Sequence, residues 1–377
     1  MDNIIKSINL DDYFKTHSPG YVIEIYKDNE KHEYILGNSE VLPEVKKVTK
    51  DTLYDIASLT KVFTSVLVYM AYEEGKISLD DTIYNIDNHF INLKSTSILD
   101  LLSHNQNIWT KGYLGNINSK EEFYNILYTA YVKENVKTYV DTHYIILGVL
   151  LEKIYGTSYD KLCQDKIFNP LNMKHTTFNP HKELCASNNY EHQGNKIVDD
   201  IYPGLIHDNK GRMAKKYGLN LGHASIFITG EDLLTFLETF LNNKLLKKET
   251  ISFMLTHRNT NKENYQRLSS ITGISDINEA YRIFEKDNPN IKIPRTYNNM
   301  GVRYRNIIDE LNDVPNSASD NTVAFSGYTG PMFAIDFDNK IIVLIMCNVV
   351  HNSYLDRETR KNKTTEIMNK IFDYLLK

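Results

Sequence analysis

Ser58-Leu59-Thr60-Lys61 is where the chemistry of this 377-residue chain could rest. On a helix, positions i and i+3 share a face, so the Lys61 amine can reach the Ser58 hydroxyl. A serine hydroxyl is a poor nucleophile at its own pKa and needs a neighbouring base. A lysine serves as that base when burial and positive neighbours hold it partly neutral. A helix amino end beneath Ser58 would also favour the negative charge that develops during acyl transfer. The spacing alone is common, since Ser158-Tyr159-Asp160-Lys161 repeats it further along. Other catalytic signatures are missing from the sequence: there is no G-x-S-x-G elbow, H-E-x-x-H pair, G-x-G-x-x-G turn after a strand, or P-loop.

The elements that must position these residues follow from periodicity. Residues 20–27 and 32–37 are β-rich and separated by Asp28, Asn29, Glu30 and Lys31, which predicts a hairpin with a polar loop. Leu59, Val62, Phe63, Val66, Leu67 and Met70 recur at three- and four-residue spacing, and Gly75 supplies a stop, so Ser58 falls in the first turn of a core helix. Helical signals continue at 98–104, 119–134, 142–155, 158–168 and 231–243. The stretch 257–297 is polar and without clear period, which predicts an irregular insertion. Three β-rich runs between 321 and 347 predict an antiparallel meander, and the tail from Asp356 predicts an amphipathic closing helix. Strands at both ends with helices between them predict an α+β fold. Residues 1–75 and 244–377 would form a discontinuous lobe around an antiparallel sheet, 76–243 a helical lobe, and the active site would lie between them.

Composition narrows the functions. There are 43 Lys+Arg against 48 Asp+Glu and no long basic block, which disfavours a nucleic-acid partner. No apolar run approaches the roughly 20 residues of a membrane-spanning helix. The acidic start MDNIIKSINLDDYF lacks the basic and apolar parts of an export signal, so the expectation is cytoplasmic. Cys163, Cys185 and Cys347 are too few and too far apart for a disulfide framework or a cysteine zinc site, and Cys347 reads as a buried apolar filler. No carboxylate and histidine cluster has ligand spacing in the sequence, so neither metal nor cofactor is expected.

Several segments around and beyond Ser58 occur in a familiar order. They are the Ser58 helix itself, Leu79-Asp80-Asp81, Leu101-Leu102-Ser103-His104, Tyr139-Val140-Asp141 before a Leu-Gly helix, and Asn169-Pro170-Leu171-Asn172-Met173. His207-Asp208, Gly222-His223-Ala224 and Asn348-Val349-Val350-His351 follow. The chain from about residue 20 to 352 thereby resembles the serine β-lactamase and penicillin-binding protein superfamily, and within it the class C-like esterase and D-peptidase branch. The resemblance implies a β-lactamase/transpeptidase-like fold with an antiparallel sheet flanked by helices and an inserted helical lobe. It implies Ser58 as nucleophile and Lys61 with Tyr139 as proton carriers. A phenol beside an ammonium suits that task, because the ammonium favours the phenolate. Substrate binding is expected from Asp141, Tyr328, Thr329, Gly330 and Trp109, with Trp109 walling the pocket. His223 and His351 are expected to be structural.

The chain departs from the pattern in its third motif. The resemblance implies Lys-Thr-Gly or His-Thr-Gly on the strand beside the site, and the matching stretch reads Gly327-Tyr328-Thr329-Gly330. A neutral phenol then stands where a cation would attract a substrate carboxylate, which favours an esterase or D-peptidase over a true β-lactamase. Pro331 follows, and proline has no N–H to complete an oxyanion hole. Ser319-Asp320-Asn321 spells a class A motif but lies too near Tyr328 and reads as a surface loop. The expected function is a metal-independent serine hydrolase acting on an ester, amide or lactam in a small molecule or peptide. The alternative, motivated by Tyr328 and Pro331, is a non-hydrolytic penicillin-binding or sensing protein on the same fold.

Overall fold

The structure, a computed structural model, describes residues 4–133, 139–193, 196–256, 273–275, 279, 298–304 and 313–377. The insertion expected at 257–297 lies almost wholly outside the described residues. Both ends of the chain build one seven-stranded antiparallel sheet. Its order is Arg303–Tyr304, Thr322–Ser326, Met332–Asp336, Ile341–Cys347, Gly20–Lys27, Glu30–Glu40 and Lys46–Lys47. The last long strand therefore pairs with the first, Val22 opposite Met346 and Glu24 opposite Leu344.

The unbroken apolar run 341–347 is explained by burial of both sheet faces. Ile341, Val343, Ile345 and Cys347 join Tyr21, Ile23 and Ile25 in a core under the closing helix Arg357–Leu375 and the amino-terminal helix Ile4–Ile8. Ile342, Leu344 and Met346 point the other way, into the main core, where the helix Gly230–Asn242 packs on the same two strands. The closing helix begins where Asp356 accepts hydrogen bonds from the Glu358 and Thr359 amides.

The helix Thr60–Glu73 is buried from Thr60 through Ala71, so it is a central strut and not a surface helix with one apolar stripe. It packs against Thr142–Tyr155, another mostly buried helix. Residues 76–243 carry most of the remaining helices and also short strands, among them Thr176–Thr177 and Phe227–Ile228.

Three expectations are adjusted. The hairpin turn is only Asp28 and Asn29, with φ of 54° and 64°, and Glu30 and Lys31 belong to the second strand. Two left-handed residues match the twist of the strands better than a four-residue loop, and Asp and Asn tolerate that conformation. The helix expected over 119–134 stops at Leu127, and Tyr131–Val132 pairs instead with Ile108–Trp109. The helix Asn209–Lys216 had no periodicity to reveal it and is started by Asp208, whose side chain accepts from the Gly211 amide. Among the described residues no helix is long and apolar enough to cross a membrane.

Glu24 sits 3% exposed in the first strand, directly opposite Glu33. Burial, reinforced by the Glu33 charge, pushes its carboxyl up to about 8. The folded chain thus holds a proton that the unfolded chain releases near pH 4.5, so stability falls as the pH rises from there toward 8. Glu24→Gln is expected to raise the unfolding free energy at pH 8 by about 1–3 kcal/mol and to change it little near pH 4. Denaturant titrations at both pH values test this, and an equal effect at each would refute it.

Candidate active site

Ser58 lies in a single 3-10 turn, Ala57–Leu59, that feeds the helix Thr60–Glu73. Asp55 shapes this turn. Its carboxylate accepts from the Ala57 amide at 2.8 Å and the His207 amide at 2.8 Å, and its carbonyl accepts from Thr329 Oγ1 at 2.6 Å. Ala57 has φ of 44°, a left-handed conformation that costs an alanine of order 1 kcal/mol or more and persists because its amide is tied to Asp55.

Lys61 is 1% exposed and directs its amine at three acceptors: Ser58 Oγ at 3.0 Å, Asp141 Oδ1 at 2.9 Å and the His223 carbonyl at 3.3 Å. Three acceptors match the three donors of an ammonium. Burial lowers the Lys61 pKa, and Asp141 opposes that shift without cancelling it. Tyr139 presents its ring to Lys61, with Nζ 4.8 Å from the centroid, and packs its other neighbours His104 and Phe325 at 4.7 and 6.4 Å between ring centres.

Asp141 was expected to orient substrate, and its oxygens are committed instead to two lysines. Oδ2 is 3.0 Å from Lys210 Nζ, which also sits 3.0 Å from Asp208 Oδ2, while Asp208 Oδ1 is 2.8 Å from His223 Nε2. Burial alone would raise both carboxyls, but the charges of Lys61, His223 and Lys210 hold Asp141 well below the usual range, and His223 and Lys210 do the same for Asp208. Asp141, Asp208 and His223 are of metal-ligating type and converge although the sequence separates them. The Lys210 ammonium bridges the two carboxylates, so the cation this cluster is built around is a lysine.

A cavity of about 680 Å³ opens over Ser58, lined by Trp109, Tyr113, Leu114, Tyr139, Asp141, Lys210, His223, Tyr328 and Arg357 among others. Trp109 stands on this wall, 44% exposed, with Nε1 donating to Asn107 Oδ1 at 2.7 Å. Tyr328 offers its ring and not its hydroxyl, because the hydroxyl donates to Glu191 Oε1 at 2.9 Å. Burial would raise Glu191, but His207 and Arg360 outweigh it and bring its carboxyl down to about 2. His351 is structural: it accepts from the Val41 amide at 2.9 Å and meets the Asn189 carbonyl at 2.9 Å. His223 lines the cavity and bonds to Asp208, beyond the purely structural part expected of it.

The third motif needs correction. Thr329 is 1% exposed, its hydroxyl is spent on Asp55, and neither it nor Gly330 lines the cavity. Gly330 has φ of 127°, and a Cβ there would meet Cys347 O and Sγ at 2.8 Å, so it is required by the turn and not by a ligand. The backbone that passes Ser58 is earlier: a Cβ on Gly327 would lie 2.6 Å from Ile56 O and 3.5 Å from Ala57 Cβ. The turn closes through Gly327 N to Pro331 O at 2.7 Å and Gly330 N to Gly327 O at 3.2 Å. That leaves the Tyr328 and Ser58 amides without hydrogen-bond partners among the described residues, both at the cavity wall. The triplet beside Ser58 is thus Phe325-Ser326-Gly327, and Pro331 does not line the cavity.

The two decoys resolve simply. Lys161 pairs with Asp165 at 2.8 Å on the exposed face of its helix, and Ser319 donates its amide and hydroxyl to Asp336. The three cysteines are buried and unpaired. Lys210, Tyr113, Leu114 and Arg357 are cavity residues that carried no sequence signal of their own, although Lys210 directly follows the noted His207-Asp208.

The family model described as Beta-lactamase matches residues 9–365. A protein of Escherichia coli O157:H7 named "Putative D-alanyl-D-alanine carboxypeptidase" is 24% identical over 396 residues, covering 91% of this chain and 81% of that protein. Among solved structures, EstCE1, described as a hydrolase with promiscuous acyltransferase activity, matches with a TM-score of 0.71 at 16% identity over 100% of this chain and 99% of its own. A class C β-lactamase from Rhodobacter sphaeroides matches at 0.67 and 16% identity over 100% of both chains. At such identities the structural likeness establishes the fold, a mixed α/β architecture on an antiparallel sheet. With the family model spanning nearly its whole length, the chain belongs to the β-lactamase family.

Proposed function

We propose that the protein is a metal-independent serine hydrolase that forms an acyl-enzyme at Ser58, with an ester or D-amino-acid amide as substrate in preference to a β-lactam. The observation that carries this reading is the hydrogen bond between buried Lys61 and Ser58 at the floor of the cavity. In the fraction of molecules where Lys61 is neutral, its lone pair takes the Ser58 proton as Oγ attacks the carbonyl carbon. The oxygen of the tetrahedral intermediate gains a negative charge, and the unpartnered amides of Ser58 and Tyr328 are the donors positioned to receive it. The proton then passes from Lys61, with Tyr139 beside it, to the departing alcohol or amine. Water attacks the ester on Ser58 by the reverse route and frees the acid.

The substrate preference rests on the third motif itself, which carries no cation; the positive charge nearest Tyr328 on the cavity wall is Arg357, 5.3 Å from the ring centre and from outside the motif. Phe325 is buried, and Tyr328 turns its hydroxyl to Glu191, so neither offers a charge to a substrate carboxylate. The aromatic wall of Trp109, Tyr113, Tyr139 and Tyr328 suits an apolar or aromatic acyl group. The non-hydrolytic alternative is weakened by the placement of Pro331, which is not among the residues lining the cavity.

Incubation with a chromogenic ester, a fluorescent penicillin and a D-amino-acid amide, followed by intact mass, is expected to give turnover of at least one and an adduct on Ser58 that Ser58→Ala abolishes. Lys61→Met should lower kcat/KM by roughly 10²–10⁴. An adduct that never clears would favour the penicillin-binding alternative, and no adduct with any probe would end the hydrolase reading. Restoring the backbone donor at 331 tests the position of the oxyanion hole separately. Pro331→Ala should leave the acylation rate within about twofold, whereas a gain near the 10²-fold or more that such a donor contributes would return residue 331 to the site.

A further inference from the structure

Asp141 presents the proposed chemistry with a difficulty. A carboxylate 2.9 Å from a buried lysine, acting alone, holds that lysine as an ammonium and removes it as a base. The structure contains a second cation placed on the same carboxylate. Lys210 Nζ lies 3.0 Å from Asp141 Oδ2, on the oxygen that Lys61 does not use, and 3.0 Å from Asp208 Oδ2. Asp208 is fixed from the other side by His223 Nε2 at 2.8 Å and by the Gly211 amide at 2.8 Å. Lys210 stands in the first turn of the helix Asn209–Lys216, and its side chain is 19% exposed, so its position is set by both elements of the cluster.

We propose that Lys210 is a positioning residue that divides the Asp141 carboxylate between two ammonium groups and thereby frees Lys61 to act as the base for Ser58. This inference rests on the hydrolase reading and adds the device that lets an aspartate stand beside the base. Two cations share one carboxylate, so each holds it less strongly than it would alone, and the Lys210 charge also repels the proton on Lys61. Asp208 anchors Lys210 and stops it from leaving the carboxylate when Lys61 is neutral.

The other groups facing Lys61 do not serve this purpose. Ser58 on its own turn is the acceptor and nucleophile, and Tyr139 faces it through its ring. His104 and His143, from the segments on either side, share a hydrogen bond of 2.7 Å between their Nδ1 atoms, and burial lowers the pKa of each. His223 reaches Lys61 through its carbonyl, an acceptor that favours the ammonium. Asp208 acts in the same direction from further away, and Lys210 is in contact with both carboxylates, whereas the His223 ring is in contact with Asp208 alone.

The sign follows from the chemistry. Acylation requires neutral Lys61, so its rate rises with pH through the Lys61 pKa. Removing the Lys210 charge leaves Asp141 wholly to Lys61 and moves that limb to higher pH. In Lys210→Met the limb of the acylation profile should rise by about one pH unit, a tenfold loss at a fixed pH below it. Lys210→Arg should keep the wild-type limb, Asp141→Asn should move it down, and the paired Asp141→Asn/Lys210→Met variant should return it toward wild type. A merely structural lysine would change amplitude and leave the limb in place. Direct titration of Lys61 by NMR with 15N-labelled lysine reads the same midpoint without catalysis. A Lys61 midpoint unmoved in Lys210→Met, or left by the paired variant where Asp141→Asn alone puts it, overturns the inference even where Ser58 is acylated. A moved midpoint with no adduct on Ser58 upholds the electrostatic device and overturns the hydrolase reading on which its purpose rests.

Discussion

The structure depends on a lysine amine held out of water. An ammonium with no partners in such a place would cost several kcal/mol, and the fold meets that cost with a hydroxyl, a carboxylate and a carbonyl drawn from three separate parts of the chain. Ser58 comes from the turn below the central helix, Asp141 from the entry of the neighbouring helix, and His223 from a loop beyond it. The helix Thr60–Glu73 is buried from Thr60 through Ala71, Lys61 included, so the partners of its amine must come to it. Chemistry and folding therefore make opposite demands on one nitrogen. Stability asks that it be charged and fully bonded, whereas the acyl transfer proposed for it asks that it lose a proton.

Asp55 answers a second demand, that of holding the Ser58 turn still. Its three hydrogen bonds join the Ser58 turn to the loop at His207 and to the turn at Thr329. Three segments distant in sequence are thus fixed to one residue, and Gly327 lets the sheet edge approach the Ser58 turn without a side chain between them. Thr329 reaches the Ser58 turn only through this brace. Tyr328 is likewise held by its hydroxyl on Glu191, which leaves its ring and its amide toward the cavity.

Much of this was legible in the sequence because it is local. Apolar spacing gave the Ser58 helix, the β-rich run 341–347 gave a strand of an antiparallel meander, and Tyr139 with Asp141 announced a helix entry. The third motif was misplaced by three residues because two triplets, Phe325-Ser326-Gly327 and Tyr328-Thr329-Gly330, stand in tandem and only the second spells Thr-Gly. Choosing between them needs the contact of Gly327 with Ile56, which no local pattern carries. Lys210 was missed for a related reason. A surface-type lysine in a polar eight-residue helix has no apolar period to mark it, and its meaning comes from Asp141, far away in the chain.

The sheet has a consequence for how the molecule comes into being on the ribosome. Ser18 and Asn348, bonded side chain to side chain, are 330 positions apart, and the strand after Ser18 finds its partner only once residues 341–347 have been made. Until then the early hairpin has an open edge, and the cleft lacks the turn at Gly327. Such long-range pairing is slow to form, because loop closure opposes it until the last strand arrives. A nascent chain can assemble its helices and still lack the wall of the Ser58 cleft, which closes in one late step when the first and last strands of the sheet meet.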